Sequence, residues 1–148
     1  MAKEKISDLG SSVCVDDQNE KFVPALGNGA AIPGDLCAID PTNGRVVLSA
    51  TGIIEQFVGI LMESKITGTE TLIATDIPCK LVIPKSGHGY RIRCDNLGAT
   101  LKVGHAMLHG TTAGKAKKEA ALITAGILGR LSLEGLTGDT VCEVTWIQ

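Results

Sequence analysis

Two histidines, His105 and His109, have a spacing that could hold a metal ion. On a helix, side chains four residues apart lie on one face and can share a ligand. The flanking Gly104 and Gly110 favour a strand here, and strand residues four apart lie about 13 Å from each other. That separation is too large for one metal, and the chain has no Cys-x-x-Cys pair. The sequence therefore predicts no metal site.

The segment Gly110–Lys115 is similar to a phosphate-binding loop. Such a loop needs a glycine, four residues, a Gly-Lys pair and then a hydroxyl residue that binds magnesium. His109 stands where the first glycine belongs, and Ala116 stands where the hydroxyl belongs. We therefore predict a hairpin turn rather than a nucleotide site.

The loop Ser86–Gly89 has two interpretations. Its glycines could expose backbone amides as an anion-binding nest. Alternatively, it is a turn between the apolar runs Leu81–Pro84 and Tyr90–Cys94. We favour the turn, with Lys85 and His88 as candidates for contact with a partner.

No residues are arranged for catalysis. A cysteine nucleophile needs a histidine base, and no local motif supplies one. The carboxylates of Asp16 and Asp17 lie in a polar lead-in that does not suggest a pocket. The sequence therefore predicts a protein that is not an enzyme and uses no cofactor.

The five cysteines are widely and irregularly spaced, and their number is odd. This pattern does not indicate a disulfide framework. Cys37, Cys79 and Cys142 have apolar or β-forming neighbours. We expect buried free thiols at these three positions.

Composition limits the remaining classes of function. The 148 residues are 44% hydrophobic but only 3% aromatic, and the net charge is −2. A folded core is expected, whereas a nucleic-acid surface is not, since Lys115–Lys118 is the only basic run. Met1–Lys5 is charged, without the apolar segment of a secretory signal, and no run is long enough to span a membrane. We expect synthesis in the cytoplasm and no membrane partner.

The elements that would position these residues repeat along the chain. Residues 31–78 match residues 101–148 without a gap, with eleven identical pairs among forty-eight. Four of the pairs are glycines, which mark positive φ or close backbone approach: Gly34/Gly104, Gly44/Gly114, Gly59/Gly129 and Gly68/Gly138. The shared glycines predict an internal duplication with a shared backbone path.

Short apolar runs between turn residues predict strands. The segment Ala38–Val46 is predicted to be a tight hairpin, because Asn43 and Gly44 both tolerate positive φ. The other predicted strands are Gln56–Glu63, Thr69–Thr75, Lys80–Ile83, Tyr90–Cys94, Gly126–Leu133 and Thr140–Ile147. Alternation in the last of these predicts one buried face. One short helix is left open at Lys115–Ile123.

These patterns predict a mostly all-β fold. We expect a compact barrel or sandwich built from two pseudo-equivalent halves, with at most one short helix. Residues 1–21 are predicted to be a flexible N-terminal arm, and residues 22–148 a single domain.

The order of these elements resembles a known family. Pro33–Leu36 is a Gly-Asp-apolar strand, a hairpin follows, and then comes the apolar-Gly-apolar segment Val58–Glu63. The last segment recurs as Ile127–Leu131. The chain resembles the small β-rich capsid decoration, or cement, proteins of tailed phages and related viruses. In the second copy, His105 replaces Asp35, and Arg130 stands where the first copy has Ile60.

The resemblance implies a structural virion protein on the outer surface of a viral capsid. Its partners would be the major capsid protein and itself, as a homotrimer, with no nucleic acid and no catalysis. The candidate partner-binding residues are Lys3, Lys5, Asp16, Asp17, Phe22, Lys85 and His88. Two alternatives stay open: a small ligand-binding or enzyme domain that uses residues 85–90, and a subunit of another protein shell or filament.

Overall fold

The fold is described from a computed structural model that covers residues 13–15, 19–49, 58–63, 71–110, 112–119 and 127–147. These residues form ten strands and no helix. The strands are β1 (Lys21–Leu26), β2 (Leu36–Ile39), β3 (Val46–Leu48), β4 (Gly59–Leu61), β5 (Pro78–Ile83), β6 (Gly89–Arg93), β7 (Ala106–His109), β8 (Ala116–Lys118), β9 (Ile127–Leu131) and β10 (Val141–Trp146).

The strands form two antiparallel sheets with the same internal order. The first sheet runs β1-β5-β4-β2-β3, and the second runs β6-β10-β9-β7-β8. Each strand of the first sheet therefore has a counterpart in the second. The sheets are not closed into one barrel, so the predicted all-β fold with two halves is confirmed in its sandwich-like form.

The glycine turns that begin β2 and β7 have the same backbone path. Gly34 and Gly104 have φ of 93° and 92°. Each donates its N–H across the sheet, to Leu61 and Leu131 respectively, at 2.8 Å. Positive φ is the conformation that glycine adopts without steric penalty, which explains the match at this position.

The offset of seventy residues does not extend to the last strand of each half. Ile60 pairs with Val82, twenty-two residues later, whereas Arg130 pairs with Thr145, only fifteen later. The first half therefore has seven more residues before its last strand. Asp76 occupies the turn position of Gly138, and both have positive φ. Gly68, the expected match of Gly138, lies outside the described residues.

The local predictions had different outcomes. The predicted hairpin at Ala38–Val46 is formed by β2 and β3, and of its two turn residues only Gly44 has positive φ. The strand predicted at Thr69–Thr75 was wrong in its described part, because residues 71–75 lie outside any strand. The short helix left open at Lys115–Ile123 does not form in its described part, which contains β8 paired with β7.

Strand β10 also differs from its prediction, because both of its faces are buried over Val141–Val144. Cys142 and Val144 on one face and Val141 on the other belong to the larger apolar cluster, while Glu143 contacts the side chains of Ser132 and Arg91. An alternating pattern predicts one solvent-exposed face only when nothing packs on that face.

Two apolar clusters hold the fold together. The larger includes Leu36, Ile60 and Val82 of the first sheet with Tyr90 and Trp146 of the second. The smaller uses the opposite face of the first sheet, and it includes Cys37, Leu61 and Leu81. The first sheet is therefore buried on both faces, against the second half on one side and its own loops on the other.

Candidate functional site

The candidate partner-binding residues divide into two groups. Lys3, Lys5, Asp16 and Asp17 lie outside the described residues. Phe22 lies on β1, while Lys85 and His88 lie in the loop between β5 and β6. Because β1 pairs with β5, the structure brings the second group to one end of the first sheet.

The N-terminal segment pairs antiparallel with the β5–β6 segment on both sides of the loop, and we call the two pairings the ribbon. Lys21 pairs with Ile83, and seven residues away along each chain Cys14 forms a bridge with Tyr90. The two pairings have the same register, so the N-terminal segment lies along the edges of both sheets.

A buried carboxylate closes this ribbon at the loop. Glu20 lies with one carboxylate oxygen 2.6 Å from Nδ1 of His88, and the other accepts a hydrogen bond from the Tyr90 hydroxyl at 2.7 Å. The Glu20 side chain is only 3% exposed. Lys85 contributes twice: its N–H donates to the Tyr90 hydroxyl at 2.9 Å, and its ammonium contacts the Asn19 carbonyl. We call Asn19, Glu20, Lys85, His88 and Tyr90 the clasp.

The Tyr90 side chain lies in the core and directs its hydroxyl group to the clasp. Its ring is fully buried and packs edge-on against Trp146, with ring centroids 6.1 Å apart. Burial raises the pKa of the Tyr90 phenol, so the group stays protonated and can donate to Glu20.

The loop does not form an anion nest with its central amides. The N–H of Gly87 donates to the Trp146 carbonyl at 2.8 Å, and the N–H of His88 donates to the Lys85 carbonyl at 3.1 Å. The acidic group that this loop binds is Glu20 of the same chain. Sequence reasoning missed Glu20. Extending the β1–β5 register by one residue places Glu20 opposite Pro84, at the start of the loop, but does not indicate its contact with His88.

Part of the predicted N-terminal arm is built into the fold. Residues 13–15 lie along the outer edge of β6, where Arg91 N–H donates to the Val13 carbonyl at 2.7 Å and Val15 N–H donates to the Gly89 carbonyl at 3.0 Å. Val13 and Cys14 are buried. We call residues 13–15 the N-terminal strand.

The corresponding edge of the first sheet is protected differently. Ile60 and Arg130 are equivalent in the repeat, so their partners Val82 on β5 and Thr145 on β10 are equivalent too. The partners of these two residues, Phe22 on β1 and Gly89 on β6, are therefore also equivalent. Two residues further on, Pro24 corresponds to Arg91. Proline has no N–H to offer where Arg91 binds the N-terminal strand, and proline is a common guard of edge strands.

Four exposed apolar side chains belong to residues that lie near the loop of the clasp along the chain or through backbone pairing. Phe22 is 42% exposed, and the Lys80 ammonium lies 4.1 Å from its ring centroid. Ile83 directly precedes the loop, Val15 bonds to Gly89, and Ile147 follows Trp146, which exchanges hydrogen bonds with the loop. These four residues, Val15, Phe22, Ile83 and Ile147, are the loop-end surface.

A second charged group lies where the two halves meet. The Asp35 carboxylate is 1% exposed, contacts the Lys115 ammonium and accepts the Ile32 N–H at 3.0 Å. Arg93, also buried, donates to the Pro33 carbonyl at 2.9 Å. Burial raises the pKa of the Asp35 carboxyl, and Lys115 offsets only part of that effect. This group is a structural junction.

Comparison with protein-family models and with curated proteins finds no match for this chain.

The other motifs take structural places. Gly110–Lys115 connects β7 to β8, as the predicted hairpin requires, and Gly114 has positive φ. Within the described ranges, no three metal-ligating side chains form a group, and no helix is long and apolar enough to cross a membrane.

The thiols agree with their prediction in part. All five cysteines are free; Cys37 and Cys142 are buried, while Cys79 is half-buried. Burial raises the pKa of the Cys37 thiol well above its usual value. A hydrogen bond with Cys94, together with burial, does the same for Cys142. Thiols in this state are weak nucleophiles, because the thiolate is the reactive form.

Proposed function

We propose that this protein is a structural virion protein that binds the outer surface of a viral capsid and stabilises it through protein–protein contacts. Its partners are the major capsid protein and further copies of itself, as a homotrimer. It acts on the virion surface after synthesis in the host cytoplasm. No catalysis, cofactor, nucleic acid or membrane takes part.

The loop-end surface carries this proposal. Four of the eight large apolar side chains that are exposed in the described part of the chain belong to residues near one loop, along the chain or through backbone pairing. Grouped exposed apolar side chains mark protein interaction sites, and aromatic residues are enriched in their centres. Phe22 is one of only two phenylalanines in the chain.

The charge around this surface supports a protein partner. The acidic Glu20 and the basic His88 and Lys85 are engaged with one another or with the backbone of the same chain. The loop therefore presents apolar side chains over a rigid, internally paired base. A rigid surface loses little conformational entropy when a partner binds.

The proposal is tested with Phe22→Ser and shells of the source virus that lack this protein. Fully burying an exposed phenylalanine contributes about 1.5–3 kcal/mol, and Phe22 has 42% of its surface left to bury. The affinity for shells should therefore fall about three- to tenfold, since each 1.4 kcal/mol corresponds to about a factor of ten. Co-sedimentation measures binding, and thermal unfolding checks the fold.

Val47→Ser is the matched control, because Val47 has a similar exposure but lies on β3, the opposite edge of the first sheet. Equal loss from both variants would contradict the role of the loop-end surface. A wild-type protein that stays monomeric and never co-sediments with shells would contradict the proposed function itself. Deleting residues 1–12, which precede the N-terminal strand, should also weaken attachment.

A further inference from the structure

The N-terminal strand occupies a site that both halves of the molecule build. On one side, β6 offers the Gly89 carbonyl and the Arg91 N–H. On the other side, the Glu63 carboxylate accepts the Val13 N–H at 3.3 Å, and the Met62 sulfur lies 3.8 Å from the Cys14 sulfur. We call Met62, Glu63 and the outer edge of Gly89–Arg91 the strand-acceptor site.

The site is specific for a short extended segment. Val13 is fully buried, and Gly89 leaves room for Val15, since a Cβ at residue 89 would lie 3.0 Å from the Val15 Cβ. Strand addition of this kind takes its affinity from main-chain hydrogen bonds and its selectivity from side-chain pockets. The acceptor recognises an apolar strand with the sequence Val-Cys-Val.

The strand is attached to the rest of the chain through a short connection with a fixed origin. The clasp holds Asn19 and Glu20 in place, so only residues 16–18 separate that anchor from Val15. Four residues of extended chain span at most about 14 Å. A neighbouring molecule whose acceptor lies within that reach would offer the strand the same contacts that its own chain offers.

We propose that the strand-acceptor site binds the N-terminal strand of a second copy of this protein, so that neighbouring copies exchange strands. Exchange re-forms identical contacts, which makes it a low-cost route to self-association. The donor strand and the acceptor edge are different surfaces of one molecule, and such contacts close into rings when the rotation allows it. Pro24 blocks the equivalent edge, so each copy accepts one strand. The inference rests on the self-association that the proposed function includes.

Two variants with complementary thiols at positions 14 and 62 test the exchange. One chain keeps Cys14 and Met62, and the other carries Cys14→Ser with Met62→Cys. Both carry Cys79→Ala, because Cys79 is the half-buried thiol. Neither chain can bridge positions 14 and 62 within itself. The two chains, with different affinity tags, are co-expressed, purified through both tags and treated with a mild oxidant or a short bifunctional thiol reagent.

The expected result is a covalent heterodimer at the summed mass that requires both thiols. A partner chain with Cys14→Ser and the native Met62 is the matched control and should give none. Absence of the heterodimer, both in free oligomers and on shells, would overturn the inference, as would a strictly monomeric protein. Shell binding without a heterodimer removes the exchange alone, whereas a heterodimer without shell binding removes the capsid function alone.

Discussion

The two halves of this molecule share a turn but use it differently. In the first half, the turn at Pro33–Asp35 is buried against the second half, where Asp35 contacts Lys115 and Pro33 accepts a hydrogen bond from Arg93. In the second half, Val103 of the equivalent turn is 63% exposed. Arg130 of the same half donates to its Gly104 carbonyl at 3.1 Å.

The residues that contact the first turn also differ from their equivalents in the other half. Lys115 and Arg93 of the second half correspond to Arg45 and Leu26 of the first. Arg45 is held instead by a bidentate pair with Asp76 on the surface. Only the first turn therefore docks on the other half, although both turns have the same backbone path. The comparison teaches that a few side chains decide which copy of a repeated turn becomes an interface.

Breaking the junction should give the largest effect. Lys115→Ala leaves the buried Asp35 carboxylate without its cation. Because the Lys115 side chain is partly exposed, the free energy of unfolding should fall by about 3 kcal/mol, the lower end for a buried pair. The equivalent Arg45→Ala removes only an exposed pair and should change stability little. Chemical denaturation of both variants measures the difference. Equal destabilisation by the two substitutions would show that the halves do not differ at this point.

The pH dependence of Lys115→Ala has a definite sign. The ammonium lowers the pKa of Asp35, so its removal raises that already raised pKa further. A carboxyl whose pKa is raised in the folded state contributes stability below its usual range and loses it as pH rises through the raised value. The deficit relative to wild type should therefore be larger at about pH 7 than at about pH 4. A deficit that is constant across this range would argue against an ionised Asp35.

Weakening the clasp should give the next largest loss of stability. The clasp is also a difference between the outer edges of the two sheets. Tyr90→Phe removes the hydroxyl that donates to Glu20 and accepts from Lys85, which should destabilise the fold by about 1.5–3 kcal/mol. The equivalent residue in the first half is Val23, which has no such group. Proteolysis near residues 16–18 should accelerate in this variant, as followed by mass spectrometry. Unchanged cleavage would mean that the clasp does not hold the N-terminal strand.

Restoring a hydrogen-bond donor at the outer edge of β1 should change self-association more than stability. Pro24→Val restores an N–H at the position that corresponds to Arg91, so β1 gains the donor that β6 uses to bind a strand. Sedimentation velocity should then show additional self-association at high concentration. Pro24→Gly, which restores the N–H without a β-forming side chain, is the comparison variant. If Pro24→Val sediments as the wild type does, Pro24 is not what prevents strand pairing at the edge of β1.

The smallest effect should come from making the second turn resemble the first. Val103→Pro places proline where Pro33 stands, in a turn with the same 3.1 Å hydrogen bond and nearly the same glycine φ. Proline in a compatible backbone should stabilise the protein by about 0.4–1 kcal/mol by restricting the unfolded chain. A rise in melting temperature would agree, and a fall would mean that the turns differ in backbone.

Much of the fold could be predicted because local rules determined it. The glycines at 34 and 104 occupy positions where positive φ is needed, so their spacing reported a repeated turn. The hairpins around Gly44 and Gly114 followed for the same reason. The last strand of each half was misaligned because the seven additional residues leave no local mark, and Asp76 adopts the conformation of Gly138 without being glycine.

The candidate site was harder to predict, because its contacts join distant parts of the chain. Lys85 and His88 were selected from a glycine-containing loop, but their partners lie sixty-six and sixty-eight residues away. The burial of Val13 and Cys14 depends on Met62 and Glu63, which no local pattern relates to the N-terminus. Only the register of a long ribbon connects these residues, and register is a property of the folded chain.

The direction of the N-terminal strand has a mechanical consequence. The strand runs antiparallel to β6, and residues 1–12 continue from its free end. If those residues are tied to a particle, a pull along the strand axis acts on the hydrogen bonds to β6 together, in shear, rather than peeling them apart singly. The same pull is transmitted through Glu20 and Tyr90 into the core, so that tension is shared by both sheets. We expect this attachment to resist force along the strand better than force across it.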